Sequence, residues 1–305
     1  MADSKNTKQK KTPAETQEWL RQKTEAAIEA LAKLPKKKAP AAKQLSFPKW
    51  PDTVRGVPNA FLRSALFGVS NTRKLHQKRT IITAVDGYVV RFKGESFNQT
   101  DLDLWTMLVH MARLQPLGTE VEFTAHALLK SLGRGTSGKE HEDLKEQLMR
   151  LIGGVVEITW TKEKKAFAEA LLSSYIRDDE TGRYVVTFSP KMSKLFDSDY
   201  TLIDLQQRLA LGKNNLAKAL LDMYASHAKP FPHKVQTLME LCGSITKRLV
   251  DFRVSLRAAH DQLVKVGAIQ SWSIDENDLV HVVRSPSGTQ RKHLVLKKVI
   301  PKPKI

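Results

Sequence analysis

An α+β fold is predicted, in which one unit of helix, strand, helix, turn, helix and hairpin is used twice behind a flexible basic N-terminal tail. Three observations carry this prediction. Apolar residues recur at helical spacing in the same order in two stretches of the chain. A glycine-containing turn separates the two later helices of each stretch. Short strands rich in β-branched residues follow the last helix both times.

In the first stretch a helix is expected over 100–114, with Leu102, Trp105, Val109 and Ala112 on one face, ending before Pro116. TEVEFT (119–124) reads as a short strand. A helix over 125–132, a Gly-rich turn and a helix over about 140–152 follow, the last with Leu144, Leu148 and Leu151 as its seam. Gly153 and Gly154 are expected to end it. VVEITWT (155–161) opens a hairpin with KEKK at its turn, a strand follows near 168–176, and YVVTF (184–188) returns after DDETGR.

The second stretch repeats the order. A helix runs from about 214 to 227 and stops before Pro230, HKV (233–235) is extended, and helices over 236–242 and 246–266 flank Gly243 and Ser244. Strands 269–274 and 279–283 pair around DEND. Pro116 to Trp160 spans 44 residues and Pro230 to Trp272 spans 42, which aligns the KEKK hairpin with the second hairpin. This order is that of the winged helix, a helix-turn-helix variant whose last helix keeps one face free for a DNA major groove. Three segments are expected: a tail over 1–52, a first winged-helix domain over 53–196, and a second over 197–305 with a basic C-terminal end.

Composition supports this. A chain of 305 residues suits two domains, and 41% apolar content is enough for their cores. No uncharged apolar run approaches the ~18–20 residues of a membrane span. MADSKNTKQKK is polar and basic, with no apolar run behind it, so no secretory leader is expected. The single cysteine, Cys242, allows no intrachain disulfide and points to a reducing compartment. The net charge of +18 favours polyanions, nucleic acid first. Residues 1–50 and 284–305 each carry +7, so the body is close to balanced. In the tail, Thr12, Pro13 and Glu15 form a capping box for a short surface helix, and PKKKAPAAK (35–43) reads as a solvated linker.

The helix over 246–266 is the expected reader. Leu249, Phe252, Leu256, Ala259, Leu263 and Val266 form its core seam. At ~100° per residue, Lys247, Val254 and Arg257 fall opposite, with Arg253 on the flank and Arg248 at the start. A valine between cations suits a thymine methyl, with Arg or Lys on guanine edges and phosphates. In the first copy Glu142 and Glu146 share the outer face with Lys139 and Met149, and carboxylates repel phosphate. DNA contact is expected there through Arg134, Thr136, Ser137 and Lys139 at the turn and Lys162, Lys164 and Lys165 on the KEKK hairpin. The acidic tip 275–278 should point away from the DNA backbone.

No catalytic constellation emerges. GRGTSGKE (133–140) lacks the hydroxyl of a phosphate loop, placing Glu140 where Ser or Thr would hold magnesium, and it follows a helix instead of a strand. The nine histidines do not cluster, and His126 and His260 are expected to pack or cap. Asp178 and Asp179 fall in a Gly-containing turn. No enzyme activity, cofactor or metal site is expected.

TVRGVPNAFLRSALFGVS (53–70), the paired units and FRVSLRAAHDQLVKVGAI (252–269) together resemble the TrfA-type replication initiators of broad-host-range plasmids, over residues 44–300. The resemblance implies binding to direct repeats (iterons) at a plasmid origin, opening of an AT-rich segment with contact to its single strands, and monomer–dimer self-association that regulates copy number. It implies recruitment of the host initiator, the replicative helicase and the sliding clamp in the bacterial cytoplasm. By position it makes Lys247, Arg248, Arg253 and Arg257 the main reader. Gln44, Leu45, Ser46 and Phe47 of QLSFPKW are similar to peptides that dock on that clamp, in an exposed linker; the alternative is a linker whose apolar residues pack on the first domain. The alternative is a transcriptional repressor of plasmid genes using the same two domains.

Overall fold

The computed structural model describes residues 47–114 and 120–287, with isolated positions 18, 22, 290, 291, 294 and 295. The expected tail helix, the linker and Gln44, Leu45 and Ser46 lie outside the described residues. Residues Met1–Gln44 and Leu45–Ile305 form separate units.

The second unit is a mixture of helices and small sheets, antiparallel except for the parallel pair of Phe67–Gly68 with Phe97–Asn98. It opens with β1 (Val54–Pro58), α1 (Asn59–Leu62), β2 (Phe67–Gly68), β3 (Leu75–Ile82), β4 (Tyr88–Glu95) and β5 (Phe97–Asn98). The first repeat follows as α2 (Gln99–Ala112), β6 (Glu120–Thr124), α3 (Ala125–Ser131), α4 (Gly138–Gly153), β7 (Val155–Trp160), β8 (Lys165–Ala170), β9 (Ser174–Asp178) and β10 (Arg183–Thr187). A 3-10 turn, α5 (Leu195–Ser198), β11 (Tyr200–Asp204) and α6 (Leu205–Ala210) connect to the second repeat. That repeat is α7 (Asn215–Ala225), β12 (His233–Lys234), α8 (Val235–Leu241), α9 (Leu249–Lys265), β13 (Ser271–Ile274) and β14 (Leu279–Val283).

The long helices form where the spacing places them. Leu144, Leu148 and Leu151 of α4 are fully buried, as are Phe252, Leu256, Ala259 and Leu263 of α9. Asn98 caps α2 reciprocally: its side chain accepts from Thr100 and Asp101, and Asp101 accepts from the Asn98 amide. The two short helices end in the same way. Gly133 (φ 68°) donates to Lys130 O and Arg134 to Leu129 O; Gly243 (φ 60°) donates to Glu240 O and Ser244 to Met239 O, all at 3.0 Å. These are paired Schellman turns, and the left-handed backbone is why glycine stands at both positions. Gly154 serves a different purpose. Its backbone is extended, and a Cβ there would lie 2.6 Å from Phe97 and 2.9 Å from Phe92.

The hairpin assignment is corrected. In the second repeat β12 pairs with β14, and β14 with β13. The matching sheet of the first repeat is β6-β10-β9, so the hairpin equivalent to β13–β14 is β9–β10, with its tip at 178–183. The KEKK hairpin β7–β8 is an insertion that completes a sheet of order β3-β4-β7-β8. The match of Trp160 to Trp272 therefore does not hold, and Trp160 faces Tyr88 on β4.

The tail boundary at residue 52 also moves. Phe47 packs edge-on against Phe188 and Phe196, and Trp50 stacks on Phe196. Both are about 5% exposed or less, so they belong to the core. Trp50 Nε1 donates to His110 Nδ1 at 3.0 Å, while Asp52 pairs with His110 and Arg113.

The expected boundary at 196/197 is crossed by main-chain pairing. β1 pairs antiparallel with β11, from Val54 opposite Asp204 to Pro58 opposite Tyr200. A polar network crosses beside it. Arg208 on α6 lies 2.5 Å from Asp103 on α2 and 2.6 Å from Asp222 on α7. Lys218 takes the second Asp103 oxygen at 2.7 Å, and Arg208 also donates to Gln99 Oε1 at 2.9 Å. Arg208 and Asp222 are buried, and burial raises the Asp222 carboxyl above its usual range against the pull of Arg208. Such a network fixes geometry more than it adds stability, because desolvation offsets most of the attraction.

Candidate nucleic-acid interface

The α8–turn–α9 segment is built so that one face of α9 stays free. Its seam is spent on the core, with His260 alongside: Tyr224 Oη lies 2.7 Å from His260 Nε2, and Trp272 stacks on the ring. His260 thus packs, as the sequence predicts. The opposite face carries Val250, Val254, Arg257, Ala258 and Lys265, all exposed, and Lys247 and Arg248 precede it in the same state. Val254 is 65% exposed.

Arg253 is engaged. It reaches Asp278 of the β13–β14 tip through Nε at 3.1 Å and Nη2 at 2.9 Å to each oxygen. The hydrogen bonds it donates to Asp278 raise the guanidinium's affinity for its proton. At the same tip Asp275 accepts from the Asn277 and Leu279 amides at 2.9 Å and from His281 Nε2 at 2.8 Å. The His281 contact leads the groups that hold the Asp275 carboxyl below its usual range. Two of the three carboxylates expected to repel DNA are therefore turned onto the protein, and Glu276 is the exposed one. Arg248 lies 3.3 Å from Asp251.

The first repeat is organised differently. Arg134 is drawn inward, 2.7 Å from Glu140 and 2.6 Å from Gln147 Oε1, and Gln147 in turn donates to Thr100 at 3.0 Å. Thr136, Ser137 and Lys139 remain exposed at the start of α4, where Glu142 and Glu146 are exposed as well. Lys145 sits 2.6 Å from Glu142 and lowers that carboxyl. Lys162, Lys164 and Lys165 are exposed at the β7–β8 turn, in the inserted sheet instead of beside α4. Between α3, α4 and the β9–β10 tip lies an open groove of about 430 Å³, lined by His126, His141, Lys145, Arg177 and Tyr184 among others. His126 is exposed there, contrary to the expectation that it packs or caps.

The sequence reasoning missed Ile245 and Val250, which are 65% and 48% exposed next to Val254. It also missed the groove residues His141, Lys145 and Arg177. The exposed aliphatics were readable from the helical wheel for Val250, which lies four residues before Val254. Ile245 lies in the turn, where no periodicity applies. Among the described residues no group of three or more His, Cys, Asp or Glu could hold a metal ion, and no helix is long and apolar enough to cross a membrane.

Comparison with known proteins follows the same line. The chain is similar to the plasmid replication initiator protein TrfA of Escherichia coli, 28% identical over 289 residues that cover 91% of this chain and 74% of the relative. Its fold is similar to that of RctB domains 2–3, with a TM-score of 0.50 at 13% identity, covering 75% of this chain and 97% of that one. A structure of Pi initiator protein in complex with iteron DNA aligns with a TM-score of 0.40 at 14% identity, over 66% of this chain and 99% of that one. The family model described as TrfA protein matches residues 9–284, nearly the whole chain, and the protein belongs to the TrfA family.

Proposed function

We propose that this protein is a plasmid replication initiator that binds repeated duplex sites at its origin, and that its two repeats act as tandem winged helices. The second, over 197 to the C-terminal end, is the principal reader. The first, over about 53–196, adds backbone contacts through Thr136, Ser137, Lys139 and the groove of His126 and Arg177. The observation that carries this reading is the outward face of α9, where Arg257, Val250 and Val254 are exposed beside Lys247 and Arg248. Membership of the family supports it.

The mechanism is binding and deformation, with no bond made or broken. Several protomers on adjacent repeats strain the duplex, and AT-rich steps, the cheapest to unstack, open first. The basic ends hold exposed single strand by phosphate attraction. Copy number is regulated through the monomer–dimer balance. Work in the bacterial cytoplasm and recruitment of the host initiator, helicase and sliding clamp complete the reading. A clamp-docking role for Gln44–Phe47 requires Phe47 to leave its aromatic pocket.

Footprinting of the full chain on its own origin, against random duplex at equal salt, tests the reading. Protected repeats with a steep salt slope are expected, together with unpaired bases in the supercoiled origin. Equal protection of random DNA would overturn it. Protection without unpaired bases would make the protein a repressor instead.

A further inference from the structure

The cations of α9 account for phosphate and guanine contacts, but not for its exposed aliphatic residues. Ile245, Val250 and Val254 are 65%, 48% and 65% exposed, and Ala258 is exposed too. Val250, Val254 and Ala258 stand four residues apart and share one face of the first turns of α9. Ile245 precedes them in the turn. Single exposed aliphatics need no explanation, but a stripe of them on a free convex helix is a contact surface. Its border is basic: Lys247, Arg248, Arg257 and Lys265 are all exposed. Of the carboxylates nearby, Asp251 lies 3.3 Å from Arg248 and Asp261 accepts from Trp272 Nε1 at 3.0 Å, while Glu276 at the hairpin tip is exposed, so cations outnumber free carboxylates along this border. Charge complementarity therefore selects a polyanion that also offers apolar groups. The major groove does so at one place, the C5-methyl of thymine.

We propose that Ile245, Val250 and Val254 read thymine methyl groups, so that the site bound by α9 carries thymines opposite its first two turns. This rests on the DNA-binding reading above and deepens it. The aliphatic stripe supplies discrimination against cytosine, which lacks the methyl group, and Arg257 supplies discrimination for guanine beside it. In α4 the corresponding outer face carries Glu142, Glu146 and Met149, so only the second repeat has this device.

The test begins with selection of a duplex by the full chain from a random-sequence library. Each thymine of the enriched duplex is then replaced in turn by deoxyuridine, which removes only the methyl group. Affinity should fall about fourfold at each thymine that is read, the free energy of one buried methylene. With Val254→Ala, and separately Val250→Ala, one of those positions should lose its sensitivity. Both changes are on the surface, and an unchanged melting temperature verifies the fold. An enriched duplex whose affinity is indifferent to deoxyuridine everywhere overturns the inference and leaves the DNA-binding reading standing. If, in addition, the alanine variants alter self-association without DNA, the stripe belongs to a second copy of the chain. If no duplex is enriched at all, the DNA-binding reading itself fails.

Discussion

Arg253 on α9 and Asp278 at the β13–β14 tip form a bidentate ion pair, with nitrogen–oxygen distances of 2.9–3.1 Å. The pair ties the hairpin to the helix it flanks and removes one free cation from the exposed side of α9. Asp278 has a left-handed backbone (φ 61°), which asparagine tolerates. Asp278→Asn should therefore keep the turn, release Arg253, strengthen DNA binding and steepen its salt dependence by about one counterion. Titration at several salt concentrations measures both.

Arg257 is exposed on α9, and among the described residues it pairs with no carboxylate. Arg257→Ala should cost about 1–3 kcal/mol on the cognate repeat if the contact is bidentate to guanine, and less on random duplex. Arg253→Ala should cost less than Arg257→Ala, because Arg253 must first give up Asp278. Competition binding with wild type and the two variants orders the three.

His110 is buried beneath Trp50 and between cations. Burial, followed by Arg55 and Arg113, lowers its pKa to about 4. The folded state therefore resists a proton that the unfolded chain accepts near 6.5. The stabilisation is complete above pH 6.5 and is lost as pH falls through about 4, reaching about 3 kcal/mol at most. Denaturant unfolding between pH 7 and 4.5 should show this decline, and His110→Gln should reduce it, leaving the part due to His227, His233 and His260, which burial also lowers.

The aromatic pocket of Phe47 offers a direct check on the N-terminal segment. Phe47→Ala should destabilise the protein by ~3 kcal/mol, as for a buried phenylalanine, with Trp50 fluorescence reporting the loosened cluster. A free docking peptide would leave the melting temperature unchanged.

Gly133 and Gly243 end equivalent helices, but their neighbours differ. A Cβ at Gly243 would meet Gly68 Cα at 3.1 Å, whereas one at Gly133 meets only Leu209 at 3.6 Å. Gly133→Ala should cost about 1–2 kcal/mol, the left-handed penalty alone, and Gly243→Ala more. Paired denaturant melts separate the two contributions.

The helices were legible because their seams repeat at 3.6 residues: Leu144, Leu148 and Leu151 announce α4 as plainly as Phe252, Leu256 and Leu263 announce α9. The sheets were not, because strand alternation does not name its partner. β7 forms the hairpin with β8 that its residues suggest, but its other edge pairs with β4, more than sixty residues earlier, which they do not. The site shows the same division. The exposed side of α9 follows from its seam, so Lys247, Val254 and Arg257 were readable. The capture of Arg253 by Asp278 and of Arg134 by Glu140 and Gln147 depends on how turns fold back, which spacing along the chain does not encode.

The buried cluster of Arg208, Asp103, Asp222 and Lys218 has an implication for the DNA as well as for the protein. Arg208→Met would strand the buried Asp222 carboxylate, leave Asp103 with Lys218 alone, and should cost on the order of 3–5 kcal/mol. Left intact, the cluster works like the rivet of a pair of calipers. It links α2 of the first repeat to α6 and α7, so if both repeats meet DNA as proposed, the fold sets the interval between their sites as well as their letters. Adding about five base pairs between the portions touched by each, half a helical turn, would put one of them on the wrong side of the duplex.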